Sequence, residues 1–287
     1  MADKNREAIN KHYSTGNLGD RLLAQLAESG KDIDRLTPED LESLDQFHLR
    51  GYEATRELAA LAEVGSQSHV LDVGSGIGGP ARALAHASGC RVTGVDLTEE
   101  FTQVAAMLTT RTGLADRVSF RHGDALDMPF LDAAFDLAWS QHALMNIPDK
   151  SGLYAQLHRV LKPGGRYACY EIVAGPAGGP EFPVPWARDP AISHLVTASQ
   201  MRDQLVSAGF EPLTWNDDTI QALAWIEAQR PDKTDAGGAA ADGPDAGGKR
   251  PARAGVIRDE EFKVMARNVR RALQGDRLQV VQVVLSR

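Results

Sequence analysis

A doubly wound, mostly parallel α/β sheet is the fold the sequence predicts, on three observations. Apolar runs at 69–73, 91–95, 118–121, 135–139 and 166–173 alternate with helix-patterned segments at 79–88, 99–112 and 150–161. Strand and helix in alternation build a parallel sheet with helices on both faces. The first run opens a glycine-rich turn, Val70-Leu-Asp-Val-Gly-Ser-Gly-Ile-Gly-Gly79, that leads straight into a helix beginning at Pro80. Two further strand-like runs, 210–215 and 278–285, bring the sheet to seven strands.

The elements follow in order. Residues 1–64 read as helical and are expected to form an N-terminal unit folded over the mouth of the sheet. Asp20 to Ser29 carries Leu22, Leu23, Leu26 and Ala27 on one face, and Gly30 ends it. Thr37-Pro-Glu-Asp40 has a capping residue, proline at the first helical position and an acid three residues on. Tyr52 to Glu63 repeats the helical spacing. From 65 to 287 the chain reads as one sheet-containing domain. In it Phe101, Val104, Ala105 and Leu108 mark the second crossover helix, and Leu153, Leu157, Val160 and Leu161 the next. Lys162-Pro-Gly-Gly165 should stop that helix abruptly. Residues 174–190, rich in Gly and Pro, should be irregular. Ser199 is expected to cap a helix through Leu205, and Asp217 or Asp218 another through Trp225.

Residues 231–255 contain no apolar side chain larger than alanine apart from prolines. Such a segment buries too little surface to offset its chain entropy and reads as a disordered insertion. After it, Phe262, Met265, Ala266, Val269 and Leu273 restore helical spacing, and Leu278 to Leu285 form the last strand.

Bulk composition narrows the function. A net charge of −8 with no Lys/Arg block argues against a nucleic-acid or membrane-surface partner. Cys90 and Cys169 have no metal-ligand spacing and read as buried thiols of a reducing compartment. The polar start of the chain and the lack of a long apolar run predict a cytoplasmic protein without membrane insertion. Oligomeric state is not readable, a homodimer being left open.

The glycine-rich turn has two readings. Gly74-x-Gly76-x-x-Gly79, with Asp96 ending the next strand, satisfies a dinucleotide fingerprint and would make the protein an NAD-dependent reductase. The same residues give Asp72-x-Gly74-x-Gly76-x-Gly78. Three features separate the two. Asp72 occupies a position usually apolar in the dinucleotide fingerprint. Gly123-Asp-Ala125 follows the third strand. A helix, a strand, a helical excursion and a C-terminal strand follow the fifth strand.

On these residues, with Gly94-Val-Asp-Leu97, Phe135-Asp-Leu-Ala-Trp-Ser-Gln-His142, Asn146-Ile-Pro-Asp-Lys150 and Arg159-Val-Leu-Lys-Pro-Gly-Gly-Arg166, the chain from about Val70 to Trp215 resembles the class I S-adenosyl-L-methionine (SAM)-dependent methyltransferases. Within them it is similar to the group of the sarcosine/dimethylglycine N-methyltransferases and the ubiquinone, menaquinone and tocopherol methyltransferases. The resemblance implies a Rossmann-like sheet whose last strand is antiparallel. It also implies methyl transfer from SAM to a small-molecule acceptor, with S-adenosylhomocysteine as product and no metal. An amine nitrogen is the expected acceptor atom, and carbon or oxygen of a quinone or phenol the alternative. A SAM-binding protein without catalysis and a protein methyltransferase are weighed below these.

The same resemblance assigns roles. Asp72 would hold the amino-acid end of the donor, and Gly74, Ser75 and Gly76 would let the backbone touch it. Asp96 would accept the ribose hydroxyls, since a carboxylate can take two donors. Leu97 would lie on the adenine, and Asp124 and Ala125 would bond its edge. Ser140 and Gln141 fall near the sulfonium, because ligands sit off the carboxyl ends of such strands. His142 is the candidate base. Tyr13, His48, Trp139, Met145, Phe182 and Trp186 are the candidate acceptor pocket.

Overall fold

The computed structural model describes residues 2–229 and 259–287, so the insertion expected at 231–255 lies outside the described residues. Four helices come first: α1 (Ala2–Tyr13), α2 (Leu18–Glu28), α3 (Pro38–Asp45) and α4 (Gly51–Leu61). The alternating part runs β1 (His69–Val73), α5 (Gly79–Ser88), β2 (Arg91–Asp96), α6 (Glu99–Arg111), β3 (Val118–His122), β4 (Phe135–Gln141), α7 (Lys150–Val160) and β5 (Leu161–Ala174). Then come α8 (Ala198–Ser207), β6 (Glu211–Asp217), α9 (Thr219–Ala228), α10 (Asp259–Gln274) and β7 (Leu278–Ser286).

The seven strands form one sheet in the order β3-β2-β1-β4-β5-β7-β6. β1 pairs in parallel with both β2 and β4, and β5 in parallel with β4. β7 is antiparallel to both neighbours, β5 and β6. The strand order reverses at β1, so the crevice beyond its carboxyl end is where such a sheet binds ligands. The central strands are covered on both faces, which is why they read as near-continuous apolar runs. One face carries Val70, Leu137, Trp139 and Tyr170 in a common core with residues of α4, α5 and α10. The other carries Leu71, Val73, Tyr167 and Cys169 against α7 and α8.

Local chemistry explains the element ends. The Thr37 hydroxyl accepts from the Asp40 amide, and the Asp40 carboxylate accepts from the Thr37 amide, closing a capping box. The cap of α8 is Thr197, not Ser199: Gln200 stands three residues beyond Thr197 and completes a second box there. Asp218 occupies the cap position of α9, while Asp217 accepts from the Thr219 amide. α7 ends at Val160, ahead of Lys162, and Lys162 to Gly165 form a bulge inside β5 instead of a helix stop. Leu161 already pairs with Phe135, and the register resumes at Arg166 with Leu137.

α2 and α3 share a core with α6, in which Leu18, Leu22, Leu41 and Leu44 meet Phe101 and Val104. The turn between α1 and α2 is pinned by Glu100, whose carboxylate accepts from the amides of Thr15, Gly16 and Leu18 and from the Ser14 hydroxyl. Burial would raise that carboxyl, but these donors outweigh it and bring it down to about 2. Among the described residues no helix is long and apolar enough to cross a membrane.

Candidate active site

A cavity of about 260 Å³ opens beyond the carboxyl ends of β1, β2 and β4. Its floor is the turn after β1. Gly74 has φ +72° and Gly76 φ +53°, a region that disfavours a side chain. A Cβ on Gly74 would stand 2.5 Å from the Cβ of Ala143, and one on Gly76 would reach the ring of Phe47 at 3.7 Å. Both glycines, Ser75 and Pro80 line the cavity.

Asp72 precedes this turn within β1 and is not among the residues lining the cavity. It is buried, and its Oδ2 has no hydrogen-bond partner. Burial, and secondarily the charge of Asp96, raise its carboxyl to about 8. Asp96 lines the cavity at the end of β2. Its Oδ2 accepts from the Gly76 amide and its Oδ1 from the Thr98 amide, both at 2.8 Å. Burial still leaves its carboxyl raised. Leu97, Asp124 and Ala125 complete this end. Asp124 is bridged at 2.6 Å by Arg6 of α1.

Gln141 and His142 end β4 and line the opposite side. The Gln141 Oε1 accepts from Trp139 Nε1 at 3.0 Å and from the Thr55 hydroxyl at 3.1 Å, while its buried Nε2 has no partner among the described residues. His142 takes φ +50°, and its ring stacks on Tyr170. His48 faces it edge-on, with ring centroids 6.0 Å apart. The turn carrying His142 is held by Glu171, which accepts from Ser140 Oγ at 2.8 Å and from the amides of Ala143 and Leu144 at 3.1 Å. Burial pushes the Glu171 carboxyl up to about 7 against those bonds.

The remaining wall comes from helices and from the loop after β5. Tyr13 of α1 donates to Asn146 Oδ1 at 2.9 Å, and Asn146 Nδ2 donates to the carbonyls of Trp186 and Ile192. Trp186 is buried with its Nε1 bonded to Ser193. Met145, Ile172, Leu49 and Ile9 add hydrocarbon, and α10 contributes Phe262 and Val269, seven residues apart and so on one helical face.

Four expected site residues are not among the cavity lining, Asp72 and three others. Trp139 is fully buried in the core and serves Gln141. Ser140 is equally buried between Tyr167 and Glu171. Phe182 packs on the core from outside the cavity wall. Conversely, Phe47, Phe101 and Asn146 line the cavity without having been expected as pocket residues. Phe47 stacks on Phe101, and Tyr13 meets Phe101 edge-on. Phe47 adjoins His48 and Phe101 opens the helix after Asp96, so nearness to known candidates was the available signal. Among the described residues no group of three His, Cys, Asp or Glu side chains could hold a metal ion.

Residues 71–169 match the family model for a methyltransferase domain. That span runs from β1 into β5 and supplies most of the cavity floor. The chain is 42% identical over 116 residues to a sterol 24-C-methyltransferase of Eremothecium gossypii, covering 40% of this chain and 31% of that one. It is 32% identical over 161 residues to the 27-O-demethylrifamycin SV methyltransferase of Amycolatopsis mediterranei, covering 55% and 59%. The chain thus spans about a third to three fifths of the length of these relatives. Among solved structures, the geranyl diphosphate C-methyltransferase of Streptomyces coelicolor A3(2), in complex with Mg2+, a geranyl-S-thiolodiphosphate and S-adenosyl-L-homocysteine, superposes with a TM-score of 0.65. That match covers 99% of this chain and 98% of the other at 19% identity, a likeness of fold.

Proposed function

We propose that this protein is a SAM-dependent methyltransferase acting on a small-molecule acceptor. The observation that carries the reading is Asp72, a buried carboxyl with an unpartnered oxygen near the end of β1, just ahead of the glycine turn that lines the cavity. Such a group needs a cationic or donating partner, and the donor's ammonium is one. Asp96 would meet the ribose hydroxyls and Asp124 the adenine amino group, with Leu97 against the ring. An NAD cofactor offers no ammonium, so Asp72 favours SAM.

SAM supplies an already electrophilic methyl group. What this chain must add is alignment, worth about 7–11 kcal/mol for well-placed reactants, and exclusion of water. In this reading residues 1–64 act as a lid on a domain of 65–287. α1 would close the donor end through Arg6 and the acceptor end through Tyr13. His142 would accept a proton where the acceptor must lose one. An amine nitrogen, the first expectation, needs only a place for the unprotonated amine. A carboxylate-bearing amine such as sarcosine would also want a cation, and none of the described lining residues is Lys or Arg.

Equilibrium binding of SAM and of NAD to the full chain tests the reading. SAM binding at micromolar concentrations, weakened at least tenfold in Asp72→Asn, is expected; preferential binding of NAD would overturn it.

A further inference from the structure

We infer that the acceptor is an uncharged, largely hydrocarbon molecule methylated on carbon or hydroxyl oxygen. The inference rests on the methyltransferase reading and names the substrate class of that site.

The wall beyond His142 is the first ground. Leu49, Met145, Ile172, Trp186, Phe262 and Val269 come from five separate parts of the chain, and all present hydrocarbon to one space. The indole nitrogen of Trp186 is already bonded to Ser193, so that side chain offers only its apolar body. The carboxylates at the cavity lie at the donor end or are paired: Asp45 with Arg82 at 2.8 Å, and Asp124 with Arg6. Among the described residues no Lys or Arg lines this wall, so an acceptor with a carboxylate or phosphate would meet hydrocarbon there, at a desolvation cost that only pairing offsets.

The second ground is the placement of His142 at the edge of the same wall, with His48, whose Nε2 donates to the Gly51 carbonyl at 2.9 Å, edge-on to its ring. As the acceptor's electron pair forms the bond to the methyl carbon, the carbon–sulfur pair returns to sulfur. The positive charge of the sulfonium therefore passes to the acceptor. A methylated amine can carry that charge out to water. A carbon or hydroxyl acceptor must instead lose a proton inside the cavity. An imidazole takes it, becoming imidazolium, and neutral product and neutral thioether remain. An apolar acceptor thus needs the base that this cavity places beside it.

The test uses the full chain saturated with S-adenosylhomocysteine, whose own binding is measured first. Farnesol and 4-nonylphenol are titrated against sarcosine and phosphoethanolamine by calorimetry. The uncharged probes are expected to bind at least 100-fold tighter than the charged ones. Phe262→Lys, at a partly buried wall position, should weaken the uncharged probes at least tenfold with S-adenosylhomocysteine affinity and melting temperature unchanged, and Phe262→Leu should restore them. Equal or tighter binding of the charged probes, binding of neither class, or indifference to Phe262→Lys overturns the inference while the methyltransferase reading stands. Failure to bind S-adenosylhomocysteine overturns that reading and the inference together.

Discussion

His142 lies flat against Tyr170, with ring centroids 5.3 Å apart and planes 11° from parallel. Tyr170 is itself fixed, its hydroxyl donating to Asp218 Oδ2 at 2.8 Å. Asp218 also accepts from Arg50 through both oxygens at 2.9 Å, and Arg50 bonds Glu57 at 2.7 Å. The imidazole therefore rests on a platform tied to α4 and to the start of α9. Tyr170→Phe keeps the stack and removes one hydrogen bond, so stability should fall by about 1 kcal/mol with turnover within a few-fold. Tyr170→Leu removes the platform. Turnover should fall by about ten- to a hundredfold while SAM affinity holds, measured by S-adenosylhomocysteine release and equilibrium binding.

The proposed contact of Asp72 with the donor predicts pH-dependent binding. Burial first and Asp96 second raise its carboxyl to about 8, so at neutral pH the ligand-free protein carries a proton there. Pairing with an ammonium favours the ionised form, so binding should release that proton. Affinity should rise as pH approaches 8 and level off above it. Calorimetry at pH 7 in two buffers of different ionisation enthalpy reads the proton directly. Asp72→Asn should abolish the release and weaken SAM by about 1.5–3 kcal/mol, the range for hydrogen bonds to charged groups. The same raised carboxyl has a folding consequence. Its contribution to stability is complete below the ordinary aspartate range and is lost as pH rises through about 8.

The strands were legible because their signals are local. Val70 to Val73 needed only an apolar run ending at glycines, and Leu278 to Leu285 only length and β-branched residues. Gly74, Asp96 and Asp124, which line the cavity, could be placed for the same reason, since Asp96 ends β2 and the other two follow β1 and β3. Depth was not legible. Trp139 and Ser140 end the right strand, but β4 is covered on both faces, and position along a strand does not say whether a side chain reaches the crevice or the core. Asn146 was missed for a different reason. Its partners Tyr13, Trp186 and Ile192 are 40 to 133 residues away in sequence, and only the folded chain brings them together.

Gly74 has two independent constraints, and a pair of variants separates them. Alanine there takes φ +72° and puts its Cβ 2.5 Å from that of Ala143. Gly74→Ala should cost about 1–3 kcal/mol from the backbone alone, and more from the contact. Adding Ala143→Gly removes the contact but leaves the dihedral. The double variant should regain part of the loss in denaturant melts, and full recovery would show that the backbone tolerates alanine at φ +72°.

Asn146 joins α1 to the loop that carries Trp186. Asn146→Ala strips a partner from the Tyr13 hydroxyl and from two carbonyls at once. Leaving buried polar groups unpaired costs about 1–3 kcal/mol, so the melting temperature should drop by several degrees. Tyr13→Phe removes only the hydroxyl, so its effect should be smaller. The two variants also differ in where the loss appears. Tyr13→Phe should speed hydrogen exchange chiefly in residues 2–13, because His12 still holds the Pro185 carbonyl and Asn5 still holds His194. Asn146→Ala should speed exchange in both 2–13 and 184–194, since its side chain bonds Tyr13 on one side and the carbonyls of Trp186 and Ile192 on the other. Exchange confined to α1 in both variants would mean that Asn146 does not couple the helix to the loop.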